Sequence, residues 1–324
     1  MFRVIRAAAA ILLFLCQPLS AAVVDLAHQP VLRFVVTGDT GGTHSELREG
    51  IVAVSERVHV DGIILVGDNF YPCGISGLAD PQWTKITAHF GPAHLPIYPI
   101  LGNHDYGDQQ ERAGGYSTWG HPDSGAELQA TGRIPLWRFP ARNYLLRSPL
   151  ADFVMLDTQP IALGFAKSID GSATAHQEIS WLTSTLDRVH SRWRIVVGHH
   201  TIYSSGIHGR KNDATQQRMR ALLPLLRGEH VDLYVCGHDH DMELMGDLRR
   251  GDDPVFLVSG AGSGLDTLRP RHAAGEPPTI YPRFPANSYF GFAVLEISEN
   301  RLAISFYDRS GKRTAGPFLV TKHR

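Results

Sequence analysis

Five short runs of mostly β-branched and apolar residues each end in glycine followed by Asp, Asn or His. Residues 31–36 lead into Gly38-Asp39-Thr40-Gly41, and 62–66 into Gly67-Asp68-Asn69. Residues 96–101 lead into Gly102-Asn103-His104-Asp105, 193–197 into Gly198-His199-His200, and 231–236 into Gly237-His238-Asp239-His240. Runs this short and this apolar are read as strands buried on both faces of a sheet. One such glycine-polar pair is an ordinary turn. Five in series are a stronger constraint, because groups just past the carboxyl ends of neighbouring strands converge on one crevice. The converging set is Asp39, Asp68, Asn103, His104, His199, His238 and His240. Carboxylates and imidazoles packed that densely call for cations, and the mixture of hard oxygen with imidazole suits Fe, Zn or Mn better than Ca. The donors suffice for two ions with one shared carboxylate, a common arrangement for hydrolysing phosphate esters.

Helical patterns alternate with several of the runs. Over residues 174–190, Ile179, Leu182, Leu186 and Val189 fall on one face, and Thr174 with Gln177 forms a capping-box start. Residues 213–227 are also helical in pattern, with Gly228 as a stop and a kink expected at Pro224. Helices between buried strands give an α/β layered fold. Residues 254–259, 290–297 and 302–307 read as strands without intervening helices, so the sheet is expected to finish in antiparallel pairing. Residues 269–285 carry five prolines and read as one long loop. No internal repeat or linker divides the chain, which at 324 residues can build one large domain.

The N-terminus follows a different pattern. Arg3 and Arg6 precede an apolar run of nine residues, 7–15, and Ser20-Ala21-Ala22 supplies small residues at a cleavage site. This order is that of a secretory signal peptide spanning 1–22, and the run is too short to cross a bilayer. The protein is therefore expected to be exported, periplasmic or secreted, without stable membrane insertion. Lys and Arg total 31 against 32 Asp and Glu, so no basic excess points to nucleic acid. Beyond the leader only Cys73 and Cys236 remain, with neither metal nor redox spacing, and free thiols are expected.

The ordered motifs GDTG (38–41), GDNFY (67–71), GNHD (102–105), VVGH (196–199) and GHDH (237–240) resemble the metallophosphoesterase superfamily. Tyr71, three residues after Asp68, makes the chain resemble the purple acid phosphatases in particular, and the small tartrate-resistant type 5 enzymes most of all. The resemblance covers about 31–310. It implies a single α/β domain, a β-sandwich of two mixed sheets flanked by α-helices. It also implies hydrolysis of small phosphate monoesters at a centre of Fe(III) plus a second divalent metal (Fe(II), Zn or Mn). By the same resemblance Asp39, Tyr71 and His240 hold the ferric ion. Asn103, His199 and His238 hold the divalent ion, and Asp68 bridges the two. His104 faces the substrate phosphate, and His208, nine residues after His199, lies near the leaving group. Two departures, Tyr106 after GNHD and His200 after His199, are expected at the pocket rim. A phosphodiesterase or nucleotidase on the same fold, or a non-catalytic phosphate-binding module, are the alternatives; the module expects lost ligands.

Overall fold

The structure, a computed structural model, describes residues 21–42, 47–107, 123–168, 170–211, 213–248, 253–266, 277–281, 289–320 and 322. The leader pattern up to residue 20 and most of the proline-rich 269–285 segment lie outside them. Fourteen strands are found among the described residues. In order they are β1 (Ala22–Asp25), β2 (Leu32–Thr37), β3 (Gly62–Leu65), β4 (Ile97–Pro99), β5 (Tyr144–Arg147), β6 (Ala151–Met155) and β7 (Trp193–Val197). They continue with β8 (Leu233–Cys236), β9 (Met242–Met245), β10 (Val255–Ser259), β11 (Thr279–Tyr281), β12 (Gly291–Ser298), β13 (Arg301–Asp308) and β14 (Arg313–Val320). The α-helices are α1 (Arg48–Arg57), α2 (Trp83–Phe90), α3 (Ser124–Gln129), α4 (Gln159–Leu163), α5 (Ala175–Leu186), α6 (Ala214–Arg220) and α7 (Leu223–Gly228).

The strands form two mixed sheets. One has the order β1-β5-β6-β7-β8-β10-β9-β11, the other β14-β13-β12-β2-β3-β4. The α/β sandwich expected from the motifs is thus present. The five glycine-ended strands do not share one sheet, however. β2, β3 and β4 run parallel in the smaller sheet, and β7 and β8 run parallel in the larger. The crevice is built where the carboxyl ends of two facing sheets meet.

Alternation along each strand explains why both faces are apolar. Phe153, Ile195 and Val235 belong to the core between the sheets, where Phe34 of β2 meets Phe153 of β6 edge-on at 5.0 Å. Their neighbours Val154, Val196 and Tyr234 face the other way, into a second core with Ile161, Leu182, Leu186, Met219 and Leu226 of α4–α7. Burying one such large side chain contributes about 1.5–3 kcal/mol, so the strand ends are mounted on a rigid base.

Several local expectations are met and others corrected. The capping box at Thr174 and Gln177 is present at the start of α5. Ile179 does not join the buried stripe; it is 38% exposed. The helix over 213–227 is two helices, α6 and α7. Pro224 sits in the first turn of α7, where its missing N–H breaks no intrahelical bond, so it starts a helix where a kink was expected. Antiparallel pairing of β2, β12, β13 and β14 meets the expectation for residues 290–307, and β14 extends that sheet past residue 310. β10, expected in the same run, lies in the other sheet, parallel to β8 and antiparallel to β9. Within the segment read as a loop, Thr279–Tyr281 pairs with β9 as β11. Cys73 and Cys236 are both free. Among the described residues no helix is long and apolar enough to cross a membrane.

Candidate metal centre

Each of the five turns delivers at least one polar side chain to the same place. Asp39, Asp68 and His238 adopt left-handed backbone conformations, with φ of 56°, 53° and 70°. Non-glycine residues seldom do so, and such local strain concentrates at functional sites. Gly102 is required by close approach, since a Cβ there would lie 2.1 Å from Asp68 Oδ1.

Two knots of donor atoms result. In the first, the Tyr71 hydroxyl oxygen lies 3.1 Å from Asp39 Oδ1, 3.1 Å from Asp68 Oδ2 and 3.0 Å from His240 Nε2. A phenol has one hydrogen, which cannot satisfy two carboxylates at once. In the second knot, His199 Nε2 lies 3.0 Å from Asn103 Oδ1, 3.2 Å from His238 Nδ1 and 3.4 Å from Asp68 Oδ1. The other nitrogen of His199 is 2.8 Å from the Val66 carbonyl oxygen, a contact that requires Nδ1–H as donor. Neutral His199 then presents the bare lone pair of Nε2 to the knot, as a metal-binding imidazole does. Asp68 contributes one oxygen to each knot. Ligand atoms of Asp39, Asp68 and His199, all buried, lie within 4.8 Å of one another.

The electrostatics suit a cation. Burial, and next the charge of Asp68, push the Asp39 carboxyl well above the usual range. Burial also acts to raise Asp68, but His199, His104, a backbone N–H and His240 outweigh it and hold Asp68 below the usual range. Burial keeps His199 below its ordinary value; burial together with neighbouring imidazoles does the same to His238, more strongly. Neutral imidazoles and an ionised carboxylate are the forms that bind metal.

The two remaining sequence candidates flank the knots. His104 packs edge-on against Tyr71 with ring centroids 4.4 Å apart, and its Nε2 is 3.9 Å from Asp68 Oδ2. His208 lies against His238 at 4.0 Å between centroids. A pocket of about 70 Å³ opens beside the second knot, lined by Asn103, Gln159, His200, His208, Lys211 and His238 among others. A larger cleft of about 520 Å³, lined by Asp25, Arg147, Asp152 and Arg188, shares no residue with either knot.

The two expected rim residues are buried. His200 is 2% exposed; its Nδ1 is 2.9 Å from Thr158 Oγ1, and its ring backs the wall of the small pocket. Tyr106 is fully buried, with its hydroxyl donating to Asp157 and accepting from Arg142. In both cases the polar atom has an internal partner, which removes the reason for it to face water. Sequence reasoning also passed over the groups that hold the turns. Asp105 accepts N–H bonds from Gly102, Asn69 and Phe70, tying the turn after β4 to the turn after β3. Burial, then the charge of Asp68, raise its carboxyl to about 7. Thr158 Oγ1 accepts the backbone N–H bonds of both His199 and His200. Asp105 could have been noticed as the last residue of GNHD; Thr158 carries no local signal.

Residues 32–242 match the family model described as calcineurin-like phosphoesterase. The chain is 31% identical to purple acid phosphatase 7 of Arabidopsis thaliana, over 86% of this chain and 83% of that one. It is 27% identical to the tartrate-resistant acid phosphatase type 5 of Sus scrofa, over 87% and 85%. Among solved structures, that of GAP50, titled the anchor in the inner membrane complex of Plasmodium, shares the fold. Its TM-score is 0.70 at 24% identity, covering 91% of this chain and 90% of that chain.

Proposed function

Because this chain belongs to the purple acid phosphatases within the calcineurin-like phosphoesterases, we propose that it hydrolyses small phosphate monoesters at a binuclear metal centre. The observation that carries the reading is Asp68, whose two oxygens face separate knots of donor atoms. Asp39, Tyr71 and His240 would hold Fe(III), Asn103, His199 and His238 a divalent ion (Fe(II), Zn or Mn), and Asp68 would bridge them. Two such cations, when bound, neutralise phosphoryl oxygens and lower the pKa of an attacking water.

The chain's own groups supply the rest. His104, beside Tyr71, would hydrogen-bond the phosphate. His208, beside His238, would give a proton to the departing alkoxide. Burial depresses the His208 imidazole below its ordinary value, with Asp239 opposing and Lys211 adding to the shift. The protonated, proton-giving form therefore gains population as pH falls, which fits an acid phosphatase.

A non-catalytic role would leave the ligands free to be lost. All seven are present here and converge, which favours the enzyme. The test is turnover of p-nitrophenyl phosphate against bis(p-nitrophenyl) phosphate. Monoester cleavage should clearly dominate; equal or faster diester cleavage would favour the phosphodiesterase reading, and no cleavage of either the binding module. We also infer export, on the basic, apolar and small-residue order of residues 1–22. The mature chain should begin at Ala22 or Val23, and exported protein that still starts at Met1 would end that inference.

A further inference from the structure

The loop that carries His208 has neither helix nor strand between residues 198 and 211. Its position must come from side chains that grip its backbone. Two buried carboxylates do so. Asp239 is fully buried between the metal-ligand candidates His238 and His240, yet its oxygens turn to the loop. Oδ1 accepts the His208 N–H at 2.7 Å and Oδ2 the Gly209 N–H at 3.0 Å. Glu243, on β9 and also fully buried, accepts the Ser205 N–H at 2.7 Å and the Ser205 hydroxyl. Between these anchors stands Gly206, where a Cβ would lie 2.3 Å from Asp239 Cγ. A buried N–H left without a partner is costly, so these acceptors fix the course of the loop backbone.

We propose that Asp239 and Glu243 are positioning residues that suspend the His208 loop beside the metal centre, so that the His208 ring rests against His238. Neither carboxylate touches substrate. The third residue of GHDH thereby couples the placement of the metal-binding turn to the placement of the proton donor. A displacement of one moves the other, since Asp239 belongs to the first turn and holds the second. The inference rests on the role proposed for His208.

The experiment measures kcat across a series of phosphate monoesters of rising leaving-group pKa, with metal content, for Asp239→Asn, Glu243→Gln, His208→Ala and the double variant Asp239→Asn/His208→Ala. Asparagine keeps the shape of Asp239 but replaces one acceptor by an NH₂ group facing an N–H. Poor leaving groups should lose about tenfold more than p-nitrophenyl phosphate, because only they need the proton. Glu243→Gln should shift the same slope in the same direction by less. Metal content should stay at the wild-type level. Within the His208→Ala background, Asp239→Asn should steepen the slope no further, since the group it positions is gone. A slope unchanged in both single carboxylate variants, a further steepening in the double variant, or metal loss in Asp239→Asn would overturn the proposal. If Asp239→Asn does not fold, Glu243→Gln decides by the same slope. Should His208→Ala itself leave the slope unaltered, the role of His208 fails, and that failure is visible separately from any effect at Asp239.

Discussion

Asp68→Ala should bring metal content below two ions per chain and cut turnover by more than about 100-fold. Partners that merely orient metal ligands cost about 10–100-fold when removed, and a shared ligand should cost more. Asp68 is 2% exposed. One of its oxygens meets Tyr71, while the other accepts the His104 N–H at 2.9 Å and faces His199. Alanine would leave the two knots without a common anion and remove the charge that offsets two close cations. Elemental analysis with turnover of a monoester measures both losses, and circular dichroism checks that the variant is folded. A folded Asp68→Ala protein with two ions and near-normal turnover would show that Asp68 is not the bridge.

His104→Ala should behave differently, losing about 10²–10⁴-fold in kcat/KM with metal content intact. Its ring is placed by two contacts, one to the backbone and one to the Tyr71 ring. Nδ1 is 2.6 Å from the Pro72 carbonyl oxygen, and the ring stands edge-on to Tyr71. With Nδ1–H bonded to Pro72, Nε2 is the nitrogen that would meet a bound phosphate. Elemental analysis of the variant beside its kinetics separates the two possible roles. Loss of an ion would move His104 into the ligand set; full activity would remove it from the mechanism.

Much of this centre was legible before any fold was known, for a physical reason. A turn that carries a left-handed aspartate, or a glycine whose Cβ would lie 2.1 Å from Asp68 Oδ1, leaves little choice of residue, so glycine and its polar neighbour mark the position in the sequence. Buried strands such as β3 and β7 are legible because both faces are apolar. Which sheet a strand joins depends on long-range pairing and leaves no local trace. The convergence of two sheets therefore had to be seen. β9 gives no clear strand signal because Glu243 interrupts its apolar run; Ser205 hydrogen-bonds that buried carboxyl. The rim placement of His200 and Tyr106 rests on their position next to the motif residues His199 and GNHD. Their partners Thr158, Asp157 and Arg142 are 36 to 51 residues distant in sequence, beyond what a local motif can reveal. Asp239 was in plain view within GHDH, but its function is a contact with a loop some 30 residues earlier.

The central claim is that Tyr71 binds iron(III) beside a second ion. Burial, and then the charges of Asp39 and Asp68, push the Tyr71 hydroxyl well above its ordinary value. With those neighbours the phenol would stay protonated in the absence of a cation. A trivalent ion would reverse that balance, as metals do for bound thiols and water. Phenolate on Fe(III) absorbs visible light through ligand-to-metal charge transfer, and no other group in this centre does. The most direct measurement is elemental analysis of the purified, oxidised protein together with its visible spectrum, repeated on Tyr71→Phe. The expected result is two metal ions per chain including iron, a purple or pink wild type, and a bleached variant that retains its metal. A fully iron-loaded, oxidised wild type without a visible band, or a Tyr71→Phe protein of undiminished colour, would contradict the assignment.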